Sequence, residues 1–282
     1  LQLSILVLGQ CGTGKSTFIN SLCDKNIIPP NIRVPTKLFF EQHNEIIFDG
    51  GTNIELDITV AKGFGDLIDN SSSLSKTIEF IDSQFEKTLN EECKIKRNIK
   101  TKDTRIHVVL YFIRPTGNGL RVTDIEIMKA IGLRCNLIPV ISKADLLTEK
   151  EKTLNKKIIM NDVKENNINI YDFSMCFNDL DDVKERNDCS MPLLPFAIVS
   201  GSEKKIIGDV EHKVRQVAHG IIKIDDPEHS DFIILRTCLL GACLEDLREK
   251  TFNIFYENYR TNKLSNTNIF NIINNSGVDT PN

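Results

Sequence analysis

The stretch that decides the fold is Leu3-Ser4-Ile5-Leu6-Val7-Leu8-Gly9-Gln10-Cys11-Gly12-Thr13-Gly14-Lys15-Ser16-Thr17. Residues 3–8 are mostly apolar, as a strand buried on both faces requires. Gly9 to Ser16 then fit G-x-x-x-x-G-K-[ST], and residues 16–24 read as a helix. A strand, this loop and a helix in that order form the context that gives the motif its meaning. Glycines let backbone N–H groups turn inward on phosphate oxygens. The opening helix adds positive potential. Lys15 brings a point charge for the β- and γ-phosphates, and the Ser16 hydroxyl is a candidate Mg²⁺ ligand.

Working outward, the chain alternates strands and helices. Pro29, Pro30 and Pro35 mark 25–36 as a loop. Ile54, Leu56, Ile58 and Val60 alternate with Glu55, Asp57 and Thr59, which predicts a half-buried strand over 54–60. Further strands are expected at 106–112, 136–141 and 194–199, with helices near 74–90, 121–131 and 149–166. This order implies an α/β fold, a mostly parallel sheet with helices on both faces. After residue 200 a small β meander (204–224) and two helical stretches (230–242 and 244–260) are expected. The segment from 261 to 282 holds seven asparagines and no apolar period, so a loosely ordered tail is expected there.

A base-reading site follows from Ser142-Lys143-Ala144-Asp145, just after the 136–141 strand. The Asp145 carboxylate can accept two hydrogen bonds from the edge of guanine, a pair adenine cannot offer. The Lys143 stem can cover the base. The competing reading is a solvated turn before a helix. Thr148-x-x-Glu151 is a capping box for that helix, which by itself accounts for both residues.

These residues together resemble a septin, a filament-forming GTP-binding protein. The carriers are GQCGTGKST (9–17), KGFGDLIDN (62–70), VLYFIRPTGNGLRVTDIEIMKAI (109–131), IPVISKADLLT (138–148) and LEDLREKTFNIFYENYR (244–260). The resemblance implies a P-loop NTPase fold of three αβα layers with a six-stranded, mostly parallel sheet. It implies a septin-type domain over residues 1–264, its C-terminal element at about 200–264, and a tail over 265–282. The implied ligand is GTP or GDP with Mg²⁺. Gly12, Thr13, Gly14, Lys15, Ser16 and Thr17 would hold phosphates, and Gly63 would sense the γ-phosphate. Lys143 and Asp145 would read guanine, with Gly201 and Arg215 beside the base. Ser16 and Thr36 would serve the metal, Thr36 also positioning the attacking water. Glu151 would reach the nucleotide of a neighbouring subunit. The implied partners are other septins, through a nucleotide-facing interface and one built from the chain termini.

The sequence departs from the family pattern in three places. Septins usually read D-T-P-G where this chain has Val60-Ala61-Lys62-Gly63. The lost carboxylate normally holds Mg²⁺ or its water shell, and losing such a group typically costs roughly 10–100-fold. Asp57 lies on the opposite strand face and cannot replace it; Asp66 is a candidate from the loop. Lys62 either touches a phosphate or is a solvated loop lysine, the latter weighing more. Val217-Ala218-His219-Gly220 replaces Y-P-W-G, and the chain has no tryptophan, so the nucleotide-facing interface is expected to differ. No acid partner in the sequence gives His219 a catalytic role. The segment before Thr36 is short and rich in proline, and a threonine entering a strand needs no function.

Composition bounds the partners. The net charge is −4, which excludes a general nucleic-acid coat. Residues 94–105 carry Lys94, Lys96, Arg97, Lys100, Lys102 and Arg105 against Asp103. Such a run can meet anionic lipid at about 1 kcal/mol per charge, although a solvated loop is the weightier reading. Eight cysteines form no C-x-x-C or zinc pattern, which suits a reducing, cytoplasmic setting. The chain opens at Leu1 inside a strand pattern, so it reads as a trimmed part of a longer protein.

Three functions are therefore weighed. The first is a filament subunit at the cell cortex or division site, with nucleotide mainly structural and hydrolysis weak or absent. The second is a slow Mg²⁺-dependent GTPase, and the third a filament scaffold largely free of nucleotide.

Overall fold

The computed structural model describes residues 1–29, 37–65, 71–94, 102–173, 193–201, 203–207, 210–217 and 220–265. The central sheet has six strands: β1 (Gln2–Gly9), β2 (Phe39–Asp49), β3 (Thr52–Lys62), β4 (Val108–Ile113), β5 (Asn136–Ile141) and β6 (Phe196–Ala197). Their order across the sheet is β2-β3-β1-β4-β5-β6. The pairs β3–β1, β1–β4, β4–β5 and β5–β6 are parallel, and β2 runs antiparallel to β3 at the edge. Leu3, Ile5, Leu6, Val7 and Leu8 of β1 are fully buried, as a central parallel strand covered on both faces requires.

Helices α1 (Lys15–Cys23), α2 (Ser71–Glu92), α3 (Val122–Gly132) and α4 (Glu149–Glu165) flank the sheet. The mostly parallel six-stranded architecture expected from the sequence is present. Strand β2 has no counterpart among the sequence-predicted strands. Along Phe39–Asp49 only Ile47 is buried, so this edge strand has little apolar alternation to announce it.

A second sheet follows: β7 (Glu203–Ile207), β8 (Val210–Val217) and β9 (Gly220–Lys223), all antiparallel. This is the expected meander. Ser21 ties it to α1. The Ser21 hydroxyl donates to the Gly201 carbonyl at 2.7 Å, and Lys213 Nζ donates to the Ser21 carbonyl at 2.8 Å.

The C-terminal part holds α5 (Phe232–Thr237) and α6 (Leu244–Lys250), each continued by a π-helical turn, Cys238–Ala242 and Thr251–Tyr256. Helix then continues through residue 265, so residues 261–264 are helical where the sequence suggested the start of a tail. Residues 266–282 lie outside the described residues. Asn136 of β5 fixes these helices to the sheet: its Nδ2 donates to the His107 and Leu247 carbonyls at 2.8 and 2.9 Å. Buried amides need such partners.

Candidate functional site

The phosphate loop leaves the carboxyl end of β1, where open α/β sheets place their ligands. Gly12 and Gly14 have φ of 76° and 86°, a conformation L side chains rarely take. Gly14 caps α1 and makes no side-chain hydrogen bond to that helix end. Lys15 is buried, and its ammonium donates to the Gly9 and Gln10 carbonyls at 2.5 and 2.7 Å. The loop is therefore curled around its own cation. Thr13 Oγ1 donates to the Gln10 carbonyl at 2.8 Å. Two further side chains brace it, Gln10 of the loop itself and Arg114 from beyond β4. Gln10 Nε2 donates to the Gly65 carbonyl at 3.0 Å, and Arg114 Nη2 to the Cys11 carbonyl at 3.1 Å.

The loop forms one wall of a cleft of about 500 Å³. The structure brings Gly12, Thr13, Gly14, Lys15, Ser16, Thr17, Gly63, Lys143, Gly201 and Arg215 to that cleft. Gly63 follows β3 with a φ of 77°. Lys143 is held in the left-handed region (φ 49°, ψ 48°), between Ser142, whose N–H and hydroxyl both donate to the Ile113 carbonyl, and Ala144, whose N–H donates to the Ile198 carbonyl. Gly201 lies so close to β8 that an added Cβ would sit 2.7 Å from the Val214 carbonyl oxygen.

Asp145 stands just behind this wall with its side chain 2% exposed. Its Oδ2 is 3.3 Å from Arg215 Nε, while Oδ1 is buried without a hydrogen-bond partner. A buried carboxylate oxygen left unsatisfied is costly. A ligand with paired N–H donors would relieve it, and the residues present fit a guanine edge. The Asp145–Arg215 pair joins positions far apart in sequence, so no local pattern announced it.

Glu151 is not at this cleft. It completes the expected capping box, accepting from the Thr148 N–H at 2.8 Å while Thr148 Oγ1 accepts from the Glu151 N–H. The backbone and side-chain hydrogen bonds from Thr148 hold its carboxyl below the ordinary value. The Glu151 side chain is exposed. Thr36, Asp66 and His219 lie outside the described residues.

Val60 is fully buried and lines the cleft where a metal-directed carboxylate would stand. Asp57 is engaged elsewhere, bonded to Gln2 Nε2 and to Lys102, each at 2.6 Å. Among the described residues no group of three or more His, Cys, Asp or Glu side chains is placed to hold a metal ion. The Ser16 side of the phosphate loop and Val60 line the same cleft.

The reading of Lys62 as a solvated loop lysine is corrected. Lys62 is the last residue of β3, its side chain is 8% exposed, and it forms an ion pair with Glu41 of β2. It also lines the cleft. Burial of an ammonium requires such a partner, and the unassigned β2 hid that partner from the sequence reading.

The basic run is also partly spent within the chain. Lys94 pairs with Glu91, and Lys102 with Glu55 and Asp57. Arg105 pairs with Asp103 at 2.8 Å and lies 5.0 Å over the Phe252 ring. Lys96, Arg97 and Lys100 lie outside the described residues. No helix among the described residues is long and apolar enough to cross a membrane.

A phosphate loop at the end of a central parallel strand, facing a base-side wall built after β5 and β6, defines a P-loop NTPase. The septin family profile matches residues 1–271, and the chain belongs to the septin family. It is 40% identical over 278 residues to Cell division control protein 11 of Saccharomyces cerevisiae, covering 94% of this chain and 67% of that protein. It is 36% identical over 285 residues to septin homolog spn3 of Schizosaccharomyces pombe, covering 95% of this chain and 74% of that protein. The crystal structure of Cdc11 from Saccharomyces cerevisiae superposes with a TM-score of 0.59 at 31% identity, covering 93% of this chain and all of that one. The septin GTPase domain from Chlamydomonas reinhardtii has the same fold, with a TM-score of 0.70 at 23% identity, covering 93% of this chain and 98% of that one.

Proposed function

We propose that this septin subunit binds guanine nucleotide mainly as a structural ligand and hydrolyses it weakly or not at all. It assembles with other septins into cytoskeletal filaments at the cell cortex or division site. One observation supports this reading: a cleft lined by the phosphate loop, in which position 60 is the buried, apolar Val60. Gly12 through Thr17 hold the phosphates, and Gly63 contacts the terminal one. Lys143, Asp145, Gly201 and Arg215 hold the base. Ser16, with Thr36, forms what remains of a metal site. GTP or GDP bound here stiffens the wall that faces the next subunit, to which Glu151 reaches from its exposed cap. A second interface is built from the chain termini.

The slow-GTPase reading keeps one supporting observation, the Ser16 hydroxyl on the cleft wall. The two are separated by denaturing the purified protein and quantifying the released nucleotide, followed by single-turnover GTP cleavage. Near-stoichiometric GTP with no cleavage is expected. GDP with cleavage at the rate of ordinary septins would move the enzyme reading ahead. An empty site would favour the filament scaffold free of nucleotide.

A further inference from the structure

We propose that Lys62 takes the place of the metal ion, so that this subunit holds guanine nucleotide without Mg²⁺. The inference rests on the nucleotide reading above and concerns the charge that accompanies the phosphates.

The register of β2 against β3 places Glu41 opposite Val60 and Phe39 opposite Lys62. Residues opposite one another in an antiparallel pair stand on the same face. Residues two apart on one strand do so too. Glu41, Val60 and Lys62 therefore stand on one face at the cleft end of the sheet. Val60 and Lys62 line the cleft, and Glu41 does not. The carboxylate missing from β3 has in effect moved one strand over, behind a lysine that lines the cleft.

The chemistry then changes in a defined way. In a metal-dependent site a carboxylate, directly or through water, draws in a divalent cation that bridges phosphate oxygens. Here the Glu41 carboxylate draws in an ammonium. An ammonium has three donors, enough to meet a carboxylate and a phosphate oxygen together. Its positive charge also repels a divalent cation from the same space, and Val60 offers that cation no ligand. Attraction for the metal is removed and repulsion added at one place. Both changes favour a metal-free complex. A buried lysine–glutamate pair is costly to desolvate and is weak support for stability. Its position on the phosphate wall gives it a role that stability does not.

The test measures the dissociation constants of GDP and GTP for the purified chain, in excess Mg²⁺ and in EDTA. The expected result is the same affinity in both buffers to within about twofold. The paired variant Lys62→Met/Glu41→Gln, which leaves no unpaired buried charge, should weaken both nucleotides about tenfold or more in both buffers. Lys62→Arg should restore most of that loss. Thermal unfolding of each variant separates lost binding from lost fold. Tenfold weaker binding by the native chain in EDTA would overturn the proposal while leaving the nucleotide reading intact, as would a paired variant that is folded and binds like the native chain. Absence of binding in either buffer would overturn the nucleotide reading and this proposal together.

Discussion

A methyl group added at position 201 would meet Val214 O at 2.7 Å and Ile224 Cδ1 at 2.9 Å. Neither neighbour can retreat easily, because one is strand backbone and the other a buried core side chain. Gly201→Ala should therefore cost about 2 kcal/mol, the usual scale of overpacking, measured by urea unfolding of the purified chain. It should also weaken nucleotide retention from the base side. Asp145 makes a prediction of a different kind. Its buried, unpartnered Oδ1 can accept, and an amide there would place a donor against donors. Asp145→Asn should keep the fold and lower the preference for guanine over adenine nucleotides, read by competition binding. Unchanged base preference would remove Asp145 from the base site. At this scale the sequence was informative wherever the chemistry is local. Residues 9–17 and 142–145 carry their meaning in a short window. The Asp145–Arg215 and Glu41–Lys62 pairs do not, because each joins residues brought together only by sheet topology.

Among the elements, β1, β3, β4 and β5 were legible because buried strands are either continuously apolar or alternate strictly. Strand β2 was not, since Phe39, Ile46 and Phe48 are exposed and only Ile47 is buried, so its apolar residues set no regular inward face. The strand expected at 194–199 is present as the two-residue β6, and it is held by a polar lashing. Asp231, which caps α5, accepts from the Ala197 N–H at 2.8 Å and from Lys156 Nζ of α4 at 2.7 Å. Both side chains of that ion pair are largely buried. Lys156→Met removes one partner and strands the other charge. It should cost about 3–5 kcal/mol, read as a fall in the urea midpoint. The double variant Lys156→Met/Asp231→Asn should recover part of that loss. No recovery would mean that the loss comes from the other bond of Lys156, to the Leu193 carbonyl at 3.1 Å, and not from a stranded charge.

At the scale of the whole molecule, the end opposite the cleft is organised by Asp103. Burial raises its carboxyl, but hydrogen bonds from His107 and Arg105 outweigh this and hold it far below the ordinary carboxylate range. The Ser4 N–H donates to His107 Nδ1 at 2.9 Å, which leaves Nε2 as the nitrogen that carries a proton towards Asp103. A depressed carboxyl contributes stability that is complete above the unfolded value, about pH 4, and is lost as pH falls through the folded value. Urea midpoints should therefore fall on acidification below about pH 4, and Asp103→Asn should flatten that limb. The same end exposes Phe252 and Ile254 beside Arg105, near the start of β1. If this is the termini interface, Phe252→Ser should shorten assemblies seen by electron microscopy and sedimentation while leaving nucleotide retention unchanged.

Ser21 gives the two walls of the cleft a common anchor. Its hydroxyl holds the loop before β7 and its carbonyl holds Lys213 of β8, while its helix begins at the phosphate loop. The meander is thus geared to the helix that a bound anion would pull upon. Occupancy at one end of α1 should register as slower amide deuterium uptake along β9, whose residues line no part of the cleft. A neighbouring subunit docked beside β9 would then sense the ligand through the stiffness of a surface, in addition to any direct reach of Glu151.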